Sequence, residues 1–224
     1  VTCLNGQHLS DDFNISSNTR DMTKSLVLAF FLSSWSFQVD AQVLVQAAHT
    51  ALQPQIGRDA DGFKLCGVRA LVLDKKPTVI EAYDFSINLR ADMFDGLIKA
   101  GKSTTTLKDF NRGITSSKAV VPAPVAFWIA NELNGKPLMP TSVIPAETPG
   151  FILAGGDFVQ SWETILAIMK GERMQMALRY KNQGIDTVVS FSGSLKDEEQ
   201  KPLFACLEGL QERIVNEASQ ASKK

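Results

Sequence analysis

Val79-Ile80-Glu81-Ala82-Tyr83-Asp84-Phe85-Ser86-Ile87-Asn88-Leu89-Arg90 is the stretch whose reading decides the fold. Val79, Tyr83, Phe85, Ile87 and Leu89 take the odd positions, and Asp84, Ser86, Asn88 and Arg90 the even ones. Side chains alternate between the faces of a strand, so this pattern predicts a sheet with one buried and one wet face. Outward from it, Phe63 to Leu73 is β-branched and apolar and reads as a neighbouring strand. Asp74-Lys75-Lys76-Pro77 reads as the turn between them. Glu172 to Tyr180 alternates again, with Met174, Met176, Leu178 and Tyr180 on one side. Asn182-Gln183-Gly184 then turns the chain into a strand over 185–192.

Helical periodicity is clearest in the last third. Phe158, Trp162, Ile165, Leu166 and Met169 fall on one face of a helix over 158–170, with Asp157 as its N-cap and Gly171 as its stop. Leu203, Cys206, Leu207, Leu210 and Ile214 give a long C-terminal helix its apolar stripe, after a capping-box-like start at Ser194 and Asp197. The fold expected is α+β, an antiparallel sheet with the C-terminal helix packed on it and the 158–170 helix as a second amphipathic element. Less marked segments are read as a helix over Gln42–Gln53, a loop over 58–62 and a short helix over Asp92–Ala100. Val125–Leu133 fits helix or strand, although Asn134-Gly135 after it signals a hairpin. Phe151 to Ala154 reads as a short strand ending in a tight turn at Gly155-Gly156.

Met22-Thr23-Lys24-Ser25, an uncharged apolar run from Leu26 to Phe37 and the tail Gln38-Val39-Asp40-Ala41 are the three parts of a secretory signal. Cleavage is expected before Gln42, and the protein is expected to be periplasmic or secreted. The run is shorter than the roughly 20 apolar residues of a membrane-spanning helix, so the mature chain is expected to hold no integral membrane segment. Residues 1–21 are read as a non-native or disordered upstream segment left by a wrong start, and 42–224 as a single α+β domain.

Arg20 and Lys24, with Asp11, Asp12, Asp21 and Asp40, precede Gln42. Setting them aside takes the totals of 23 basic and 24 acidic residues to a net charge near +1. Clustered Lys and Arg are lacking, which argues against nucleic acid as a partner. Cys66 and Cys206 are the cysteines past the signal, and an exported chain with an even pair invites a disulfide. His49 is the one histidine there, assigned to the first helix. No close-spaced ligand pair accompanies it, so neither a metal site nor a cofactor is expected. A Ser-His-Asp triad has no nucleophile motif to draw on.

Gly96-Leu97-Ile98-Lys99-Ala100-Gly101-Lys102-Ser103 matches the phosphate-loop pattern, which works only between a strand and the helix it opens. Its neighbourhood does not fit, and the match is read as a helix end. Asp74 resembles a magnesium-binding strand end but precedes the loop. Glu147, Asp157, Glu163 and Asp186 cannot be paired from sequence. Gly155 and Gly156 before a helix, and Arg173, Gln175 and Arg179 along one strand face, form the candidate ligand or partner surface. The function these features favour is a non-enzymatic binding or accessory protein with a protein partner in the cell envelope. The alternative is a small exported hydrolase using carboxylates. The first requires an exposed apolar or mixed patch, the second two facing carboxylates in a cleft.

Overall fold

The computed structural model describes residues 42–113, 121–132, 136–181 and 183–221. The expected signal at 22–41, the segment 1–21, the Asn134-Gly135 turn and Asn182 lie outside the described residues. The alternating stretch forms β4 (Val79–Arg90) in the middle of a six-stranded sheet. With β2 (His49–Asp59), β3 (Gly62–Lys75) and β5 (Asp95–Thr106) it makes an antiparallel meander. Beyond β5 come β8 (Phe151–Gly156) and β7 (Ser142–Pro145), so the order is β2-β3-β4-β5-β8-β7.

A second sheet of four strands has the order β1-β10-β9-β6. It comprises β1 (Gln42–Gln46), β10 (Asp186–Phe191), β9 (Met174–Tyr180) and β6 (Pro124–Asn131). β1 runs parallel to β10 and the other pairs are antiparallel. The α+β class is as the patterning predicted, with the strands divided between two sheets.

Register explains the core. Val68, Ile87 and Ile98 are cross-strand partners on one face of the large sheet, and all three are fully buried. Met174, Met176 and Leu178 of β9 supply the matching face of the small sheet. One continuous apolar cluster joins the two sheets to α2 (Phe158–Met169) and α3 (Asp197–Ala221). Each large side chain so buried contributes roughly 1.5–3 kcal/mol. α3 lies on β3 and β2, where the Cys66–Cys206 disulfide fastens it, joining residues 140 apart in sequence. α2 lies on β4 and β5. Asp157 caps it by accepting the Gln160 N–H, and Gly171 ends it at φ +75°.

Four local expectations change. Gln42–Gln53 is not a helix but β1 and the start of β2, which places exposed His49 in a strand. Open edges at β10 and β3 accept this β-branched stretch, and tertiary pairing overrides its weak helical period. Asp92–Ala100 is likewise not a helix: the chain turns at 91–94 and enters β5. A bidentate Arg90–Asp95 pair closes that turn. Gly155 and Gly156 belong to β8, paired with Leu97 and Gly96, so they make no turn. Of the ambiguous Val125–Leu133, the part to Asn131 is strand β6, and Leu133 lies outside the described residues. The α3 start also differs from the capping box expected, since Glu199 accepts the Lys196 N–H. A short α1 (Leu107–Asn111), capped by Thr106, occupies the weakly patterned region.

Candidate functional site

The residues expected to form a ligand surface are only partly brought together. Gly156 is buried beneath α2, and Gly155 lies on the opposite face of β8 beside Ser142. Neither opens toward a ligand at the α2 N-terminus. Arg173 pairs with Glu132 at 3.0 Å and, with Gln175, lines a hollow of about 700 Å³ that His49 also borders. Arg179, further along β9, makes a bidentate pair with Asp186 at 2.7 and 3.0 Å. The guanidinium holds the Asp186 carboxyl below its ordinary range against the effect of burial, helped by the Trp128 indole. Four separate environments thus hold the five residues.

The phosphate-loop match has a packing explanation. Residues 96–103 run straight through β5, and no helix opens at Lys102. A Cβ on Gly96 would stand 2.0 Å from Ser161 Oγ of α2, and one on Gly101 would stand 2.3 Å from the Gly150 carbonyl. Both glycines are needed for close approach of neighbouring backbone and helix, not for cradling phosphate.

Lys102 instead enters a buried charged cluster. Glu81, 8% exposed, accepts hydrogen bonds from Lys102 Nζ at 2.9 Å, from Tyr83 Oη at 2.9 Å and from Lys76 Nζ. Lys102 Nζ also lies over the rings of Tyr83 and Tyr180 at 5.8 and 5.5 Å. Burial pushes the Glu81 carboxyl upward, but the bonds from Lys76, Lys102 and Tyr83 outweigh it and hold the carboxyl at about 2. Burial raises the Tyr83 and Tyr180 phenols, and the Glu81 charge raises them further. The carboxylate thus stays ionised among three donors and the phenols stay protonated, a charge network in which each partner is held by another.

The remaining carboxylates are mostly committed elsewhere. Asp157 caps α2, Asp84 pairs with Arg69, and Asp95 pairs with Arg90. Glu163 and Glu172 line one cavity of about 370 Å³, where Glu172 is held by the Asn131 side-chain amide. Among the described residues no group of His, Cys, Asp or Glu could hold a metal ion.

The feature that stands out is apolar and exposed. Phe94 ends the 91–94 turn with its ring stacked on Phe158, centroids 4.4 Å apart and planes within 7°, and Phe158 in turn faces Trp162 at 6.3 Å. With Ile214 and Val215 of α3 these rings line an open groove of about 430 Å³. Met93 and Phe94 are 61% and 57% exposed. Phe94 is the non-glycine residue at positive φ, +47°, among the described residues. That backbone region costs an L-residue roughly 1–2 kcal/mol, and such strain tends to persist at binding sites. Periodicity places Phe158 and Trp162 on the buried stripe of α2; they pack on the core but only partly buried, while Ser161, Ile165, Ile168 and Met169 are the fully buried residues of the helix. The available signal was Met93-Phe94 itself, two large apolar residues between Asp92 and Asp95 where the chain must turn.

No protein-family model, curated protein or solved structure matches the chain.

Proposed function

We propose that the chain is an exported, non-enzymatic binding or accessory protein of the cell envelope, holding a protein partner on the groove lined by Phe94, Phe158, Trp162, Ile214 and Val215. The observation that carries the reading is the exposed aromatic stack on a strained turn. Phe94 and Val215 stand exposed beside Phe158, Trp162 and Ile214, which pack partly buried on the core. Large apolar side chains left in water above a costly backbone conformation match what interface anchors look like. Export is supported by the signal-like Met22–Ala41 stretch and by the Cys66–Cys206 bond, a linkage that persists in oxidising compartments. Among the described residues no helix is long and apolar enough to cross a membrane.

Two measurements test the reading. Intact-mass analysis of the protein from its own host should give an N-terminus at Gln42 and a mass two hydrogens below the reduced chain. An unprocessed N-terminus with free thiols removes the export half. A photo-crosslinking residue at position 94 or 162, activated in intact cells, should trap one discrete envelope protein, and Val215→Asp should abolish the adduct. Equal trapping from exposed Lys201 on the opposite end of α3 would remove the binding half.

A further inference from the structure

We infer that β1 is a self-pairing edge, through which two copies of this chain join their four-stranded sheets about a two-fold axis at Leu44. The inference goes beyond the partner reading and uses a different element from the aromatic groove.

Four strands stand at the edges of the two sheets, and three of them are blunted. β2 carries Pro54 near its middle and a bulge at Gly57/Arg58. β7 is four residues long and ends on Pro145. β6 starts at Pro124 and breaks register before Ala126. Its outer side is also bonded: the Leu138 N–H donates to the Ile129 carbonyl at 2.7 Å, and the Ile129 N–H to the Leu138 carbonyl at 3.2 Å. Prolines, bulges and covering segments are how sheets avoid pairing with other chains. β1, Gln42-Val43-Leu44-Val45-Gln46, has no proline, charge or bulge, and among the described residues it pairs with β10 alone. Processing before Gln42, as proposed above, would leave no chain ahead of this strand.

The sequence of β1 says what fits beside it. It reads Gln-Val-Leu-Val-Gln in either direction. Antiparallel pairing with a second copy, centred on Leu44, therefore sets like against like. Gln42 meets Gln46 of the second copy, Val43 meets its Val45, and Leu44 meets its Leu44. Two identical strands paired this way make an isologous contact, which closes at the dimer. No charge opposes a like charge in it, and the β-branched pairs suit a strand. A foreign strand places no demand that the two halves of β1 match; self-pairing does.

Leu44 marks where packing stops. It heads the cross-strand row Leu44, Val188, Ala177 and Trp128, on the face of the small sheet turned away from Val45, Val189 and Met176 in the core. Val188 and Ala177 are 2% and 1% exposed, whereas Leu44 is 68% exposed. The row is covered in its middle and open at Leu44. A second copy continues it with the same four residues in reverse order, and the side chain in water gains a neighbour of its own size. Val43, exposed on the other face, gains Val45 of the second copy in the same way. Five residues from each copy make a small contact beside standard interfaces, so the dimer is concentration-dependent.

The test is sedimentation equilibrium on the protein as its host makes it, with the N-terminus read by mass. The average mass should rise toward twice the monomer as concentration increases. Leu44→Lys and Leu44→Glu each set two like charges against one another at the axis, and each should raise the dimer dissociation constant at least tenfold. An equimolar mixture of the two variants should associate again, because position 44 meets only itself. Val215→Asp, which acts on the groove, should leave the dimer unchanged. A monomer at every concentration, whether β1 is covered by a foreign strand or by chain ahead of Gln42, overturns the inference. So does a dimer indifferent to Leu44→Lys, a mixture no tighter than its components, or a dimer lost in Val215→Asp. Should a charged variant shift the urea midpoint, wild-type protein mixed from isotope-labelled and unlabelled copies decides. Cross-copy contacts between Leu44 methyls support the pairing, and contacts elsewhere or none overturn it. The N-terminal mass and the crosslinking at positions 94 and 162 are read separately, so failure of the dimer is distinguishable from failure of the export or partner reading.

Discussion

Glu81 lies near the start of β4 and Phe94 in the turn just past its end, and each breaks the usual rule for its residue type. Glu81 is a charge held inside, while Phe94 is a large aromatic ring held outside. The carboxylate is met by two ammonium groups and a phenol, and its surroundings leave it nothing further to bind. Phe94 is met by one ring, itself only half-buried, and keeps most of a face in water. A buried polar group with every partner supplied is part of the scaffold. A large apolar group kept in water has no such role in the scaffold, and exposed apolar surface is where interaction sites are sought.

The largest test acts on the element the two regions share. Cys66→Ala with Cys206→Ala frees α3 from β3 and should cost about 5 kcal/mol in urea unfolding, by the loop-entropy account of a loop closing 140 residues. Since Ile214 and Val215 ride on α3, crosslinking from position 162 should fall with it. Intact crosslinking in the destabilised variant would show the groove to be independent of the disulfide.

Glu81→Gln comes next. It leaves Lys102 partly buried without its counter-charge and should cost about 3 kcal/mol, the lower end of what breaking a buried pair costs. A loss below about 1 kcal/mol would mean that the cluster behaves as a surface pair.

Acid titration of stability reads the same site by another route. The folded carboxyl sits at about 2, below its ordinary 4.5. Its stabilisation is therefore fully present above about pH 4.5 and is lost as pH falls from there toward 2. Glu81→Gln should flatten this part of the profile; an unchanged slope assigns the acid sensitivity to other carboxylates.

The smallest effect on stability is expected at Phe94. Phe94→Gly relieves a positive-φ cost of roughly 1–2 kcal/mol and forfeits a ring pair contributing roughly 0.5–1.5 kcal/mol. The urea midpoint should hardly move, while the envelope adduct at position 162 disappears. A loss above about 2 kcal/mol would make Phe94 a structural residue and erase the contrast with Glu81.

Legibility followed the strength of the local signal. The alternations of 79–90 and 172–180, the apolar stripe of α3, the Asp157 cap and the Cys66–Cys206 pairing were all visible, because each is set by one period or one residue type. Gln42–Gln53 and Asp92–Ala100 were misread as helices for a shared reason. Both are short apolar segments whose state depends on which strand edge is free to receive them, and that is not written locally. The two candidate surfaces, Gly155-Gly156 before a helix and Arg173, Gln175 and Arg179 along one strand, were divided further for the same reason. Sequence proximity to a glycine pair or a shared strand face says nothing about which sheet lies alongside.

What the amino-acid sequence determined alone is the class of fold, the central strand, the two long helices and the cysteine pair. Periodicity and covalent chemistry are local properties and survive translation into structure. Only the tertiary structure decided that Lys102 neutralises Glu81 instead of touching phosphate, that Gly96 serves the packing of Ser161, and that Phe94 keeps most of a face in water. Those outcomes depend on distances between residues far apart in the chain, and such distances exist only once both sheets have closed on one core.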